Sequence, residues 1–266
     1  MRVIDFRARP NTEEYMSLYP DTYAWDNYFD CPKPEPAPLA HFITALDEAG
    51  VTQAVFTGRN SPRVTLSNDF VAECVQAYPD RLFGFAGIDP TQGLGALREI
   101  ERAIAELGMK GIALDPHHVK VYPNDRLFYP LYFKCIELDV PVIFTMGPLV
   151  GRWGGPAAVD GLAEDIPDLK IICSHGVWPQ VTELIALAYR HQNVYLEASI
   201  YHFLPGAEPL YEAANTILQD KVVYASAFPF RPLDDLQRFL EYPFDESVVH
   251  KLVYENAARL LKLEME

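Results

Sequence analysis

Short apolar runs alternate with amphipathic stretches along nearly the whole chain, in a strand-then-helix rhythm. The first run, Val3-Ile4-Asp5-Phe6-Arg7-Ala8-Arg9-Pro10, reads as a strand. If it stays extended, Arg7 and Arg9 face one side and Phe6 and Ala8 the other, and Pro10, which has no donor N–H, ends the pairing. Residues 10–38 have no steady period. Their aromatics Tyr15, Tyr19, Tyr23, Trp25, Tyr28 and Phe29 suit a lid or an interface as well as a loop packed on its own barrel. Over 38–50 the positions Leu39, Phe42, Ile43 and Leu46 repeat as a helix that stops at Gly50.

The rhythm then continues. Strands are expected at 53–57, 82–88, 110–114, 140–145, 169–174, 193–197 and 221–226. Helices are expected at 67–78, after the cap Asp89 or Thr91 with Leu94, Leu97, Ile100, Ile104 and Leu107 inward, and at 125–138, 156–166, 178–190, 207–219, 232–241 and 246–263. Eight strands, each followed by a helix, predict an α/β fold. We expect a (β/α)8 TIM barrel as a single domain over residues 1–266, with a long loop after the first strand and an extra C-terminal helix.

Composition narrows the partners. With 266 residues and 49% apolar side chains the chain can build one large core. A formal charge of −15 argues against nucleic acid or an anionic membrane as partner, so a small molecule is expected. No run has the length of a membrane span or the flanks of a signal peptide, which points to a cytoplasmic protein. Cys31, Cys74, Cys135 and Cys173 lie far apart in sequence and read as free thiols rather than a zinc or disulfide framework.

In such barrels the chemistry gathers just beyond the strands' C-terminal ends. Those positions hold Asp5, Arg7 and Arg9, then Arg59, Asn60 and Ser61, then Asp115, His117 and His118. Thr145 and Arg152, His175 and Trp178, Glu197, and Ser226 with Arg231 complete the set. Arginines gathered at one end of an acidic protein suit a carboxylate or phosphate, which the guanidinium fork grips with two hydrogen bonds. The alternative is that Arg7 and Arg9 pair with Asp5, Glu13 or Glu14. His175 has the titration range of a general acid/base, or is a structural histidine, and His117 and His118 are expected in a loop or surface role.

Ile4-Asp5, Pro141-Val142, Ser174-His175-Gly176, Ala225-Ser226-Ala227-Phe228-Pro229 and Glu255-Asn256-Ala257-Ala258-Arg259-Leu260 together resemble the amidohydrolase superfamily. The resemblance is to the amidohydrolase-related branch that holds aminocarboxymuconate-semialdehyde decarboxylase, aromatic-acid decarboxylases and pyrone-dicarboxylate lactonase. It implies metal ligands at positions that here carry Arg7, Arg9, Thr145 and Ala227, which are poor ligands. No catalytic metal and no other cofactor is therefore expected. His175 matches the family's proton-transferring histidine.

The expectation is a metal-independent, lactonase-like hydrolase of a small carboxylated substrate. Catalysis would rest on His175 and Arg7. Arg9, Arg59, Asn60, Ser61, Asp115, Trp178 and Glu197 would bind or tune. The alternatives are a carboxy-lyase or lactone isomerase of the same branch, or a non-catalytic binder of an anionic metabolite. The aromatic loop also offers a contact for a homodimer.

Overall fold

The computed structural model describes residues 1–29, 31–175 and 178–264, so the expected Gly176 of the sixth-strand motif lies outside the described residues. Eight parallel strands form one sheet in sequence order: β1 (Ile4–Asp5), β2 (Gln53–Thr57), β3 (Leu82–Gly87), β4 (Gly111–Leu114), β5 (Val142–Thr145), β6 (Ile171–Ser174), β7 (Val194–Glu197) and β8 (Val222–Val223). Two backbone bonds close the sheet into the expected TIM barrel. Phe6 N donates to Tyr224 O and Arg9 N to Phe228 O, each at 3.0 Å. Asp5 staples the same seam, its Oδ1 accepting from the backbone N–H of Arg7 and of Ser226 at 3.0 Å each.

Parallel strands covered on both faces read as unbroken apolar runs because neither side meets water. Val142–Phe144 and Ile171–Cys173 are fully buried for that reason. The helices pack outside through one stripe. Leu39–Ala49 buries Phe42, Ile43, Leu46 and Ala49 and ends at Gly50, whose φ of 79° is the left-handed cap that glycine adopts without steric cost. At the far end Asn256 Nδ2 donates to Gln219 O and Val222 O at 2.8 Å each, tying the C-terminal helix to β8.

Some expectations shift. β1 and β8 are only two residues long, because the chain turns at Phe6-Arg7 and the closing seam replaces a ladder. Leu94, expected inward, is 70% exposed, since it opens the helix Leu94–Ala105 before its buried stripe begins. The helix expected from 125 starts at Tyr129. Residues 10–38 hold two short helices, Glu13–Met16 and Tyr23–Tyr28. Tyr15, Trp25 and Phe29 are buried there, and the Trp25 and Phe29 rings each lie 5.1 Å from Phe230 beyond β8, so this segment packs on its own barrel. Among the described residues no helix is long and apolar enough to cross a membrane. The four cysteines are free thiols, three of them buried and Cys31 half-buried.

Candidate active site

Register brings the site together. Thr145, Ser174 and Glu197, the last residues of β5, β6 and β7, pair side by side at the C-terminal ends of the strands. Arg7 and Arg9 arrive beside them from the turn after β1. Both are buried, at 3% and 0% exposure. Arg7 Nη2 donates to Thr145 Oγ1 at 3.0 Å, and Arg9 Nε donates to Thr57 Oγ1 at 2.8 Å. Neither guanidinium pairs with Asp5, Glu13 or Glu14. Arg7 Nε and Nη1 and Arg9 Nη1 and Nη2 have no partner among the described residues. Burial, and then the neighbouring Arg9, pull the Arg7 guanidinium well below its ordinary value, down to about 9. Two buried cations with four unmet donor atoms are costly unless an anion joins them.

Arg59 behaves differently. Its Nη2 meets Asp115 Oδ2 at 3.0 Å and its Nη1 donates to Tyr19 OH at 2.7 Å. Burial alone would raise the Asp115 carboxyl, but Arg59, His117 and His118 together hold it well below the usual range. The Thr145 hydroxyl also reaches Asp115, so one network runs from Arg7 through Thr145 and Asp115 to Arg59 and Tyr19. Gly87 makes room for it, because a Cβ there would fall 2.5 Å from Asn60 N. Arg59 thus braces the wall and leaves Arg7 and Arg9 as the open cations.

His117 and His118 are not peripheral as expected. A short helix, Pro116–Val119, carries both half-buried into this wall. His118 Nδ1 lies 2.8 Å from Ser61 Oγ and 3.8 Å from Asp115 Oδ2. Burial pushes the His117 imidazole down to about 4, and its Nδ1 is unpartnered.

His175 follows β6 with φ at 56°, a left-handed conformation that costs a non-glycine residue on the order of 1–3 kcal/mol. It is 5% exposed. Its Nδ1 bonds to Ser199 Oγ and lies 4.0 Å from Glu197 Oε2. Glu197 is fully buried and accepts from the Ser174 hydroxyl, while its Oε1 has no partner among the described residues. Burial, then Arg7, Arg9, Arg59 and His117, hold the His175 imidazole far below its ordinary value, so it is neutral at pH 7. With Nδ1 engaged, Nε2 is the nitrogen left for chemistry.

Of the expected site residues, Arg7, Arg9, Arg59, Asp115, His175 and Glu197 converge. Ser61 touches the cluster through His118 and is otherwise held by its own turn, its Oγ accepting from Arg63 N and Val64 N. Asn60 bridges to Thr65 at the loop edge. Trp178 stands one ring away, 6.1 Å from Tyr201, which is itself 6.3 Å from His175, and its indole N–H is bonded to Pro205 O. Arg231 pairs with buried Asp235 at 2.8 and 3.0 Å, and Arg152 lies over Trp153, so neither is brought into the cluster by these contacts. The sequence reading gave no role to Thr57, Ser174 or Ser199. Each ends or closely follows a strand, the signal that could have found them.

A manganese-bound member of this fold, a dihydroxybenzoic acid decarboxylase from Polaromonas sp. JS666, has been solved. It is 21% identical, with TM-score 0.72, over 100% of this chain and 98% of that one. The donors at this mouth do not fit such an ion. Two guanidinium groups would repel it, Ala227 offers no donor, and the Thr145 hydroxyl is bonded to Arg7 and Asp115. No three His, Cys, Asp or Glu side chains gather as a metal cage among the described residues. A gamma-resorcylate decarboxylase of Polaromonas sp. is 24% identical over 273 residues, covering 83% of this chain and 82% of that protein. An uncharacterized TIM-barrel protein of Bordetella bronchiseptica is 32% identical with TM-score 0.86, over 98% of this chain and 99% of that one. The amidohydrolase family profile matches residues 4–263, and the chain belongs to the amidohydrolase family.

Proposed function

We propose that the protein is a carboxy-lyase that works on a small conjugated or aromatic acid without a divalent metal. The observation that carries this reading is the buried pair Arg7 and Arg9, with four unmet donor atoms beside a neutral histidine. Its similarity to a gamma-resorcylate decarboxylase favours carbon–carbon cleavage over the hydrolysis expected from the sequence.

Charge decides what the arginines hold. Guanidinium contacts to the departing carboxylate would favour the acid over neutral CO2 and slow its loss, since only interactions stronger in the transition state accelerate a reaction. Arg7 and Arg9 therefore grip the anionic oxygen that persists, a phenolate, an enolate or a second carboxylate, and the scissile group turns away from them. Burial and the positive field of the arginines together keep His175 neutral; an anion there offsets the field, so substrate binding raises its proton affinity. The imidazolium then gives its Nε2 proton to the carbon bearing the carboxylate. The C–C bond breaks, its electron pair restores conjugation, CO2 leaves, and His175 takes a new proton from water.

A lactone-opening hydrolase is the second reading. A histidine kept neutral in the empty site is a base before it is an acid, and the same arginines would meet a tetrahedral oxyanion. A carbon-13 NMR assay on carboxyl-labelled hydroxybenzoates and a panel of lactones, run with and without chelator, separates the readings. Labelled CO2 and bicarbonate unaffected by chelation are expected. Ring-opened hydroxy acid alone would replace the first reading with the second, and saturable binding without product from either panel would mark a non-catalytic binder. Activity abolished by chelation would overturn the metal-free assignment.

A further inference from the structure

The neutral imidazole of His175 has two tautomers, and only one leaves a lone pair on Nε2. We propose that Ser199 is a positioning residue that holds His175 with its proton on Nδ1, so that the Nε2 lone pair faces the chamber of Arg7 and Arg9. The proposal deepens the acid/base role given to His175 above and rests on that reading.

Four observations converge on it. Nδ1 bonds to the buried Ser199 Oγ, so this edge of the ring is fixed. Glu197 Oε2 lies on the same edge at 4.0 Å, and a carboxylate oxygen on that side favours N–H rather than a lone pair at Nδ1. The Glu197 carboxylate is itself fixed by the Ser174 hydroxyl, one register step away in the sheet. Ser199 follows β7 by two residues, and the next residue, Ile200, takes φ at 61°, so the chain turns sharply just after placing the hydroxyl. The other charged and titratable groups that face the ring are Arg7 and Arg9 beyond β1, Arg59 beyond β2, His117 beyond β4 and Tyr201 beyond β7. The arginines cannot accept a proton, and the atom bonded to Nδ1 is Ser199 Oγ, which has the lone pairs to take the Nδ1–H.

The consequence is an order of events. In the empty site Nε2 is a base; after an anion has bound and a proton has arrived, both nitrogens carry hydrogen. Nδ1–H then stays on Ser199 while Nε2–H is the proton that moves. Without Ser199 the ring relaxes toward the Nε2–H tautomer that ordinary histidine prefers in water, and the base is lost before any substrate binds.

The test reads the tautomer and needs no substrate. Long-range proton–nitrogen imidazole spectra of the full chain at pH 7, with His175 assigned by its absence in His175→Gln, should show a protonated-type Nδ1 and an unprotonated-type Nε2. Ser199→Ala should move at least half of the population to the opposite pattern, and Ser199→Thr, which keeps the hydroxyl, should restore it. The amide spectrum serves as the control for folding. A wild-type Nε2–H pattern, or Ser199→Ala spectra identical to wild type, would overturn the proposal. So would a Ser199→Thr pattern like that of alanine in a folded protein. Carboxylate binding depends on Arg7 and Arg9 rather than on this tautomer, so failure here and failure of the anion-site reading are separately visible.

Discussion

Replacing Arg7 with methionine should make the ligand-free protein more stable while weakening its anion site. Arg7 is 3% exposed, has two unpartnered donor atoms and stands next to Arg9. The fall of its guanidinium from its ordinary value to about 9 corresponds to about 5 kcal/mol against the charged form. Even a buried ion pair is often replaced by apolar groups of similar volume at no cost or with a gain of about 1–4 kcal/mol, and Arg7 has no carboxylate partner to strand among the described residues. Methionine fills most of the same volume but gives up the bond to Thr145, worth about 1.5–3 kcal/mol when the donor is charged. Setting the relief of about 5 kcal/mol against that loss leaves a gain of about 2–3.5 kcal/mol, which calorimetry reads at about 2–4 °C per kcal/mol for a chain of this size. Added benzoate should raise the melting temperature of wild type and, at the same concentration, raise that of Arg7→Met much less. A folded Arg7→Met protein that is less stable than wild type by more than about 1 kcal/mol would refute the reasoning, because it would make Arg7 a structural brace.

Asp5 gives a pH signature. Its folded value of about 6 lies above the ordinary 3.8 because burial outweighs the hydrogen bonds from Ser226 and Arg7. Its contribution is therefore complete below about pH 4 and lost as pH rises through 6, about 3 kcal/mol in all. Urea melts should show the stability of Asp5→Asn, relative to wild type, rising by that amount between pH 4 and pH 7.5; a constant difference would contradict the assignment. Asp115→Asn strands the buried Arg59 guanidinium and should cost about 3–5 kcal/mol in the same melts. The double variant Asp115→Leu with Arg59→Met should recover most of it, and an additive loss would show that the pair is not coupled.

The barrel was legible because its signals are local. β2 runs over the expected residues, and the helix after residues 10–38 stops at the expected glycine. The convergence of Arg7, Arg9, Arg59, Asp115, His175 and Glu197 followed from one topological rule applied to strand ends. Their division of labour did not. Arg9 meets Thr57 across 48 residues and Arg7 meets Thr145 across 138, and no periodicity encodes which arginine finds a carboxylate and which stays open. His117 and His118 were misplaced because a one-turn helix after Asp115-Pro116 leaves too short a pattern to read. The aromatics of residues 10–38 were equally compatible with a lid until the ring contacts to Phe230 placed them on the barrel.

The central claim is that Arg7 and Arg9 form an anion site, and calorimetric titration of benzoate against wild type, Arg7→Met and Arg9→Met tests it most directly, with uncharged benzamide as control. Each charged hydrogen bond is worth about 1.5–3 kcal/mol, so each variant should bind benzoate about 10–100-fold more weakly, from a wild-type stoichiometry of one, and benzamide should not bind. Equal affinity of all three proteins for benzoate, or benzamide binding as tightly as benzoate, would contradict the account.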